Sequence, residues 1–141
     1  MIRRMAMLCA ILVLCMMLSS CVSKPKPGTT ANAKFEIGES SVFTESEIRA
    51  AMDSVLTKFA DFEGCDLTRL WYGEKRSDDF FYRNGGVNQI MLLSDFTTDS
   101  THGYWNSNSG FKSDSAYTDW QWSLTRDNPE SNWKVKDWGY G

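Results

Sequence analysis

Thr44 to Phe62 reads TESEIRAAMDSVLTKFADF, and this stretch decides the fold. Thr44 and Glu47 stand in the Ser/Thr-x-x-Glu spacing of a capping box, where hydroxyl and carboxylate each satisfy a backbone N–H left unpaired by the first helical turn. Phe43 and Ile48 flank them at the positions of a hydrophobic staple. From there Ile48, Ala51, Met52, Val55, Leu56, Phe59 and Phe62 recur at three- and four-residue spacing as one apolar stripe, while Glu45, Arg49, Asp53, Thr57 and Asp61 take the opposite side. Gly64 is placed to stop the helix just beyond its C-cap. The pattern predicts a helix of about 18 residues and about 27 Å. It has a single face to bury, and a sheet is the surface that receives such a face.

The chain downstream supplies the sheet. Cys65 to Tyr72 (CDLTRLWY) alternates as a strand, with Cys65, Leu67 and Trp71 on one side and Thr68 and Leu70 on the other. Gly73 to Gly86 is polar, and Ser77-Asp78-Asp79 suits the start of a single helical turn carrying Phe80, Phe81 and Tyr82. Val87 to Phe96 contains the unbroken apolar run Ile90 to Leu93, the mark of a central strand buried on both faces. Thr97 to Ala116 is a long loop of Thr, Ser, Asp, Asn and Gly, punctuated by His102, Tyr104, Trp105 and Phe111. Loops of that length within a compact domain are mostly functional or disordered. Tyr117 to Arg126 (YTDWQWSLTR) then puts Trp120, Trp122 and Leu124 on one face; a turn at Asn128-Pro129 follows, and Trp133 to Tyr140 returns to close an antiparallel hairpin. The expected fold is α+β: one long N-terminal helix packed on a curved, roughly four-stranded antiparallel sheet, spanning residues 35–141.

Upstream, Arg3 and Arg4 precede an apolar run of 14 residues, Met5 to Leu18, which ends at Ser19-Ser20. A membrane-spanning helix needs about 20 apolar residues, so the segment reads as a signal peptide over 1–20 and not as a span. Leu18-Ser19-Ser20-Cys21 resembles the lipobox of bacterial lipoproteins: an aliphatic residue, two small residues, then Cys directly after the apolar run. That resemblance implies lipidation of Cys21, cleavage before it, and a protein held at the extracytoplasmic face of the cell membrane by acyl chains. Two chains anchor stably where one does not, at about 0.8 kcal/mol per buried CH₂. Residues 21–34 carry the lipidated Cys and a Pro-, Gly- and Thr-containing stretch with the composition of a flexible tether, so the folded unit is expected to begin between Lys34 and Val42.

The whole chain has 15 Lys+Arg against 18 Asp+Glu, a net charge of −3, and no basic cluster, which excludes nucleic acid as an expected partner. Loss of Arg3 and Arg4 with the signal leaves 13 basic against 18 acidic residues and a charge of −5, so attachment to anionic lipid rests on hydrophobic burial alone. Of 4 cysteines, Cys9 and Cys15 leave with the signal and Cys21 carries lipid. Cys65 is then left without a disulfide partner, and core packing must supply the stability.

Several stretches together resemble a group of small, uncharacterised bacterial lipoproteins with NTF2-like folds. They are Phe43-Thr44-x-x-Glu47-Ile48, Gly64 to Thr68 with Leu70-Trp71-Tyr72, Ile90 to Phe96, Trp120-Gln121-Trp122-x-Leu124, and Trp133 to Lys136 with Trp138-Gly139-Tyr140. The resemblance implies an NTF2-like or cystatin-like roll, and it carries over no reaction and no functional residues. NTF2-like folds serve isomerases, dehydratases and non-catalytic binding modules, so activity has to be argued from a site.

The composition includes 6 Trp, 5 Tyr and 8 Phe. Trp71, Trp120, Trp122, Trp133 and Trp138 either line the open end of a cone and stack on a flat ligand or fill the space between sheet and helix; filling weighs more, because large aromatics dominate small cores. Trp120 and Trp122 are the candidates on the sheet. Tyr104 and Trp105, in a polar loop, are the aromatics a core explains least and lead the list for a surface contact. His102 is the lone histidine, and with Asp95 or Asp119 it supplies the acid/base pair of an alternative reading as a small NTF2-like hydrolase or isomerase. A base needs a rigid supporting shell, which a Ser- and Asn-rich loop does not offer. Asn106 to Gly110 resembles the start of a calcium-binding EF-hand loop, but Ala116 stands where the bidentate Glu is required. No residue pattern specifies a metal or a cofactor. The expected function is a lipid-anchored extracytoplasmic module that binds a small ligand or an envelope protein, with no assigned catalytic residues.

Overall fold

The computed structural model describes residues 26–81, 86–100 and 110–140. The elements in chain order are β1 (Lys34–Glu36), α1 (Glu45–Phe59), β2 (Cys65–Tyr72), α2 (Glu74–Phe81), β3 (Gln89–Thr98), β4 (Ala116–Thr125) and β5 (Lys134–Gly139). They build one sheet in the order β1-β2-β3-β4-β5, with β1 parallel to β2 and the other pairings antiparallel. The fold is α+β, as the sequence implies, but the sheet is five-stranded and mixed, and a second helix is present. Both differences have local causes.

The first lies upstream of α1. Residues expected to be tether are bonded to the domain. Gly64 N donates to Lys26 O at 2.9 Å, Gly28 N to Ala60 O at 3.2 Å, Thr29 N to Cys65 O at 2.9 Å and Leu67 N to Thr29 O at 2.8 Å. This strap, residues 26–33, gives the carbonyls and amides around the end of α1 the partners a helix terminus lacks. It then continues as β1, where Lys34, Phe35 and Glu36 pair with Arg69, Leu70 and Trp71. A β-carbon on Gly28 would stand 2.1 Å from Phe59 O and 2.9 Å from Phe62 O, so only glycine permits the approach.

The second is α2, an eight-residue helix beginning at Glu74 where the sequence suggested a single turn at Ser77. β2 ends at Tyr72, opposite Leu92, and beyond that point β3 has no strand partner on this side among the described residues. There the buried Ser77 hydroxyl accepts from Met91 N at 3.2 Å, so α2 satisfies a backbone group the sheet leaves over.

The capping box forms as read: Thr44 Oγ1 accepts from Glu47 N, and Glu47 Oε2 accepts from Thr44 N at 2.8 Å. α1 closes at Phe59, one turn before Phe62. Residues 60–64 then wind more tightly, with Phe62 N donating to Phe59 O and Cys65 N to Phe62 O, and Gly64 takes φ 73°. Ile48, Ala51, Met52, Val55 and Phe59 are buried as the stripe requires, and Phe62 joins them from the turn. At about 1.5–3 kcal/mol per fully buried large apolar side chain, this face is the main support of the helix. β3 is buried on both sides from Ile90 through Ser94. In β2 the register slips between Leu67 and Arg69, so Leu70 and Tyr72 face the core and Trp71 faces away, the reverse of simple alternation.

Candidate binding surface

The sheet and helix together have two ends. At one, here the arginine end, β3 starts, β4 passes into the turn toward β5, and α1 begins. At the other, the strap end, β2 and β4 start, β3 and α1 finish and the strap crosses, while β5 finishes part-way along β4, with Gly139 opposite Gln121.

At the arginine end Arg126 is 6% exposed and fully engaged. Nη2 lies 2.7 Å from Glu47 Oε1; Nε and Nη2 donate to Val87 O at 3.0 and 2.6 Å, and Nη1 donates to Pro129 O at 3.2 Å. Its guanidinium stacks 4.3 Å from the Trp133 ring, and Trp133 Nε1 donates to Glu47 O at 3.1 Å. Backbone N–H donation from Thr44 and the Arg126 guanidinium hold the Glu47 carboxyl below its ordinary value of 4.5, against the opposing effect of burial. Each Arg126 nitrogen has an acceptor, and the arrangement is structural; beside it, at the start of β3, Asn88 Oδ1 and Gln89 Oε1 are buried without a hydrogen-bond partner among the described residues.

At the strap end aromatic rings meet one another instead. Phe62 packs on Phe59, Phe111 and Trp122 at 5.2, 5.4 and 5.1 Å between ring centroids. Phe96 stacks on Tyr117 at 4.9 Å, and Trp120 meets Phe96, Phe111 and Tyr140 edge-on at 5.5, 5.5 and 5.1 Å. These offset and edge-on geometries are the attractive ones for rings. The cluster reaches the surface at Trp138, 41% exposed, and Tyr140, 62% exposed. Among the described residues with large exposed apolar side chains, these two share a hollow, a shallow one of about 90 Å³ also lined by Met91, Gln121, Ser123, Asp137 and Gly139, over the middle of β3, β4 and β5. That volume admits a few waters, each taking about 30 Å³ in the liquid, and cannot enclose a ligand. The surface is suited to contact, not to engulfment. Lys58 Nζ sits 4.6 Å over the Trp138 ring and 2.9 Å from Asp61 Oδ2. Trp120 Nε1 is buried without a hydrogen-bond partner among the described residues, a donor left over within the rings.

The predicted tryptophans therefore separate. Trp122 is fully enclosed, with Nε1 donating to Ser94 Oγ at 2.8 Å, so this ligand-binding candidate is a core residue. Trp133 belongs to the arginine end, and Trp71 lies on the sheet's far side with the Arg69 guanidinium 4.1 Å from its ring. Of the five, Trp120 and Trp138 join the Phe62 ring cluster without being fully enclosed. The buried core is filled, and an open hollow of about 440 Å³ lies between α1 and β5, lined by Ser54, Thr57, Lys58, Asp61, Trp133 and Val135. Asp95 and Asp119 do meet, with Asp119 N donating to Asp95 Oδ1 at 3.0 Å, but on the sheet face turned away from α1, and neither lines the hollows beside β5 or α1. His102, Tyr104, Trp105 and the lipidation candidate Cys21 lie outside the described residues. Burial, reinforced by the neighbouring Asp66 charge, pushes the Cys65 thiol up to about 12, which removes it as a nucleophile near neutral pH. Among the described residues no three Asp, Glu, His or Cys side chains gather as a metal site, and no helix is long and apolar enough to cross a membrane.

Sequence reading missed Tyr140 and the strap. Tyr140 follows Gly139 at the chain's end, where a single tyrosine carries no signal until β5 brings it beside Trp120. Searches against protein-family models, curated proteins and solved structures find no match for this chain.

Proposed function

We propose that the protein is a lipid-anchored, extracytoplasmic interaction module whose binding surface is the aromatic strap end, built on an NTF2-like or cystatin-like roll. One observation supports the binding part above others: an aromatic cluster that is otherwise interior emerges as exposed rings, Trp138 packed on Phe62 and Tyr140 packed on Trp120. Exposed rings of this kind carry a large apolar face with a polar tip, the chemistry of contact sites. The anchor part rests on Leu18-Ser19-Ser20-Cys21 after the apolar run. Anchoring and contact then serve one purpose, holding a rigid aromatic face at the envelope surface.

Two measurements test this reading. Metabolic labelling with palmitate marks the wild type and fails on Cys21→Ala; equal labelling, or none on either, contradicts the anchor. A photo-crosslinking amino acid at Tyr140 yields adducts in intact cells while the same group at Glu130, at the arginine end, does not; an unreacted probe at 140 contradicts the binding surface.

A further inference from the structure

We infer that the partner of the strap-end aromatics is the bilayer interface itself, so that Trp138 and Tyr140 rest at headgroup level and the arginine end points away from the membrane. This rests on the anchored reading above and names the occupant of the same surface. It follows from where the chain leaves the fold.

Only four residues lie between Cys21 and Lys26, whose carbonyl is already fixed to Gly64 N. At about 3.3–3.6 Å per residue, the five steps from Cys21 to Lys26 span at most about 18 Å. β3 and β4 have ten residues each, and at about 3.3 Å per residue such strands run about 33 Å. The lipid is therefore within reach of the end where the strap docks, and the arginine end lies beyond it. A chain free through Lys34 would reach about 45 Å and allow either end to face the bilayer. The docking of Gly28 against Phe59 and Phe62 removes that freedom.

Reach alone leaves the contact optional; the rings make it favourable. Phe62 lies two residues before Gly64, and its ring contacts Trp138 at 6.2 Å, so the Trp138 ring reaches the turn where the strap docks although β5 pairs that residue with Trp122, part-way along the sheet. Trp and Tyr are the residues that gather at membrane interfaces, where an apolar body and a polar tip are both satisfied. Lys58, over the Trp138 ring, has the stem and head to reach from that level to water. Asp61, Glu63 and Asp66 share this end and oppose anionic lipid, so the contact is to the zwitterionic interface.

The test uses the full chain, processed in cells, purified with its lipid and reconstituted in phosphatidylcholine vesicles. Nitroxide labels are placed at Tyr140→Cys and, separately, Glu130→Cys. Both positions are exposed, and Cys65 is 1% exposed and stays unlabelled. The expected result is that the label at 140 is relaxed by dissolved oxygen and shielded from an aqueous nickel chelate, with the order reversed at 130. Gly28→Val, which frees the strap, is expected to keep the protein on the vesicles and to abolish the shielding at 140. Protein that floats with the vesicles while the label at 140 is as open to the chelate as that at 130 overturns the inference and leaves the anchor standing, as would be seen if a protein were the partner. Wild-type protein that does not float overturns the anchor, and the inference with it.

Discussion

The two ends of this small domain solve the same problem, closing a sheet over one helix, with opposite chemistry. At the arginine end a buried guanidinium is shared among Glu47, Val87, Pro129 and the Trp133 ring, and the Trp133 indole is paired as well. At the strap end closure is made by rings on rings; the Trp120 indole N–H is left over, and Trp138 and Tyr140 run out to solvent. The difference lies in what reaches the surface. The Arg126–Glu47–Trp133 network is bonded within itself and specifies structure, even with Asn88 Oδ1 and Gln89 Oε1 left unpartnered nearby among the described residues, whereas exposed rings continuous with the core offer a rigid surface that needs little ordering on contact.

The largest effect that would break this comparison is at Arg126. Arg126→Met leaves the Glu47 carboxylate and two carbonyls without their donor, and a loss of about 3 kcal/mol is expected by urea denaturation, the lower range for breaking a buried pair. Arg126→Lys should recover little, because a single ammonium cannot serve three acceptors in different directions. Stability unchanged in both variants would mean that the arginine end is not the rigid one.

Gly28→Ala comes next, with an expected loss of about 2 kcal/mol, since the added carbon collides with backbone and not with a movable side chain. A variant as stable as wild type would show that the strap does not dock in solution. This residue also shows where sequence reading stops. The helix stripe, the doubly buried β3 and the inward Trp120, Trp122 and Leu124 face were legible because burial leaves periodicity in apolar side chains. The strap docks through main-chain hydrogen bonds and a missing side chain, and neither alters the pattern of residue types, so Lys26 to Ala33 reads as tether. The bulge in β2 is hidden for a similar reason: one extra residue at Thr68 exchanges the faces of Leu70 and Trp71, and nothing in CDLTRLWY announces it. Trp120 and Trp122 share a strand face in the sequence, and only the packed structure separates the enclosed Trp122 from Trp120 beside Tyr140.

A third effect is pH-dependent. The Glu47 carboxyl titrates below its ordinary value of 4.5 in the folded chain. It therefore contributes stability above that pH, and this is lost as pH falls through the lower folded value. Glu47→Gln should flatten the fall in thermal midpoint between about pH 5 and pH 3; an unchanged slope would remove Glu47 from the network. The smallest effect is the sharpest contrast between the ends. Trp120→Phe deletes a buried donor that has no partner among the described residues, while Trp122→Phe strips Ser94 of its bonded indole. Denaturation should show the Trp122 variant weakened by about 2 kcal/mol and the Trp120 variant by less than about 1 kcal/mol. Equal losses would mean that the Trp120 indole is as well satisfied as that of Trp122.

Hydrogen–deuterium exchange on the membrane-held wild type, compared with soluble Cys21→Ala protein, tests the division of labour between the ends most directly. The account predicts added protection at residues 60–65 and 136–140 on the membrane and none at 126–133. Protection gained at 126–133 instead, or at neither segment, would contradict it.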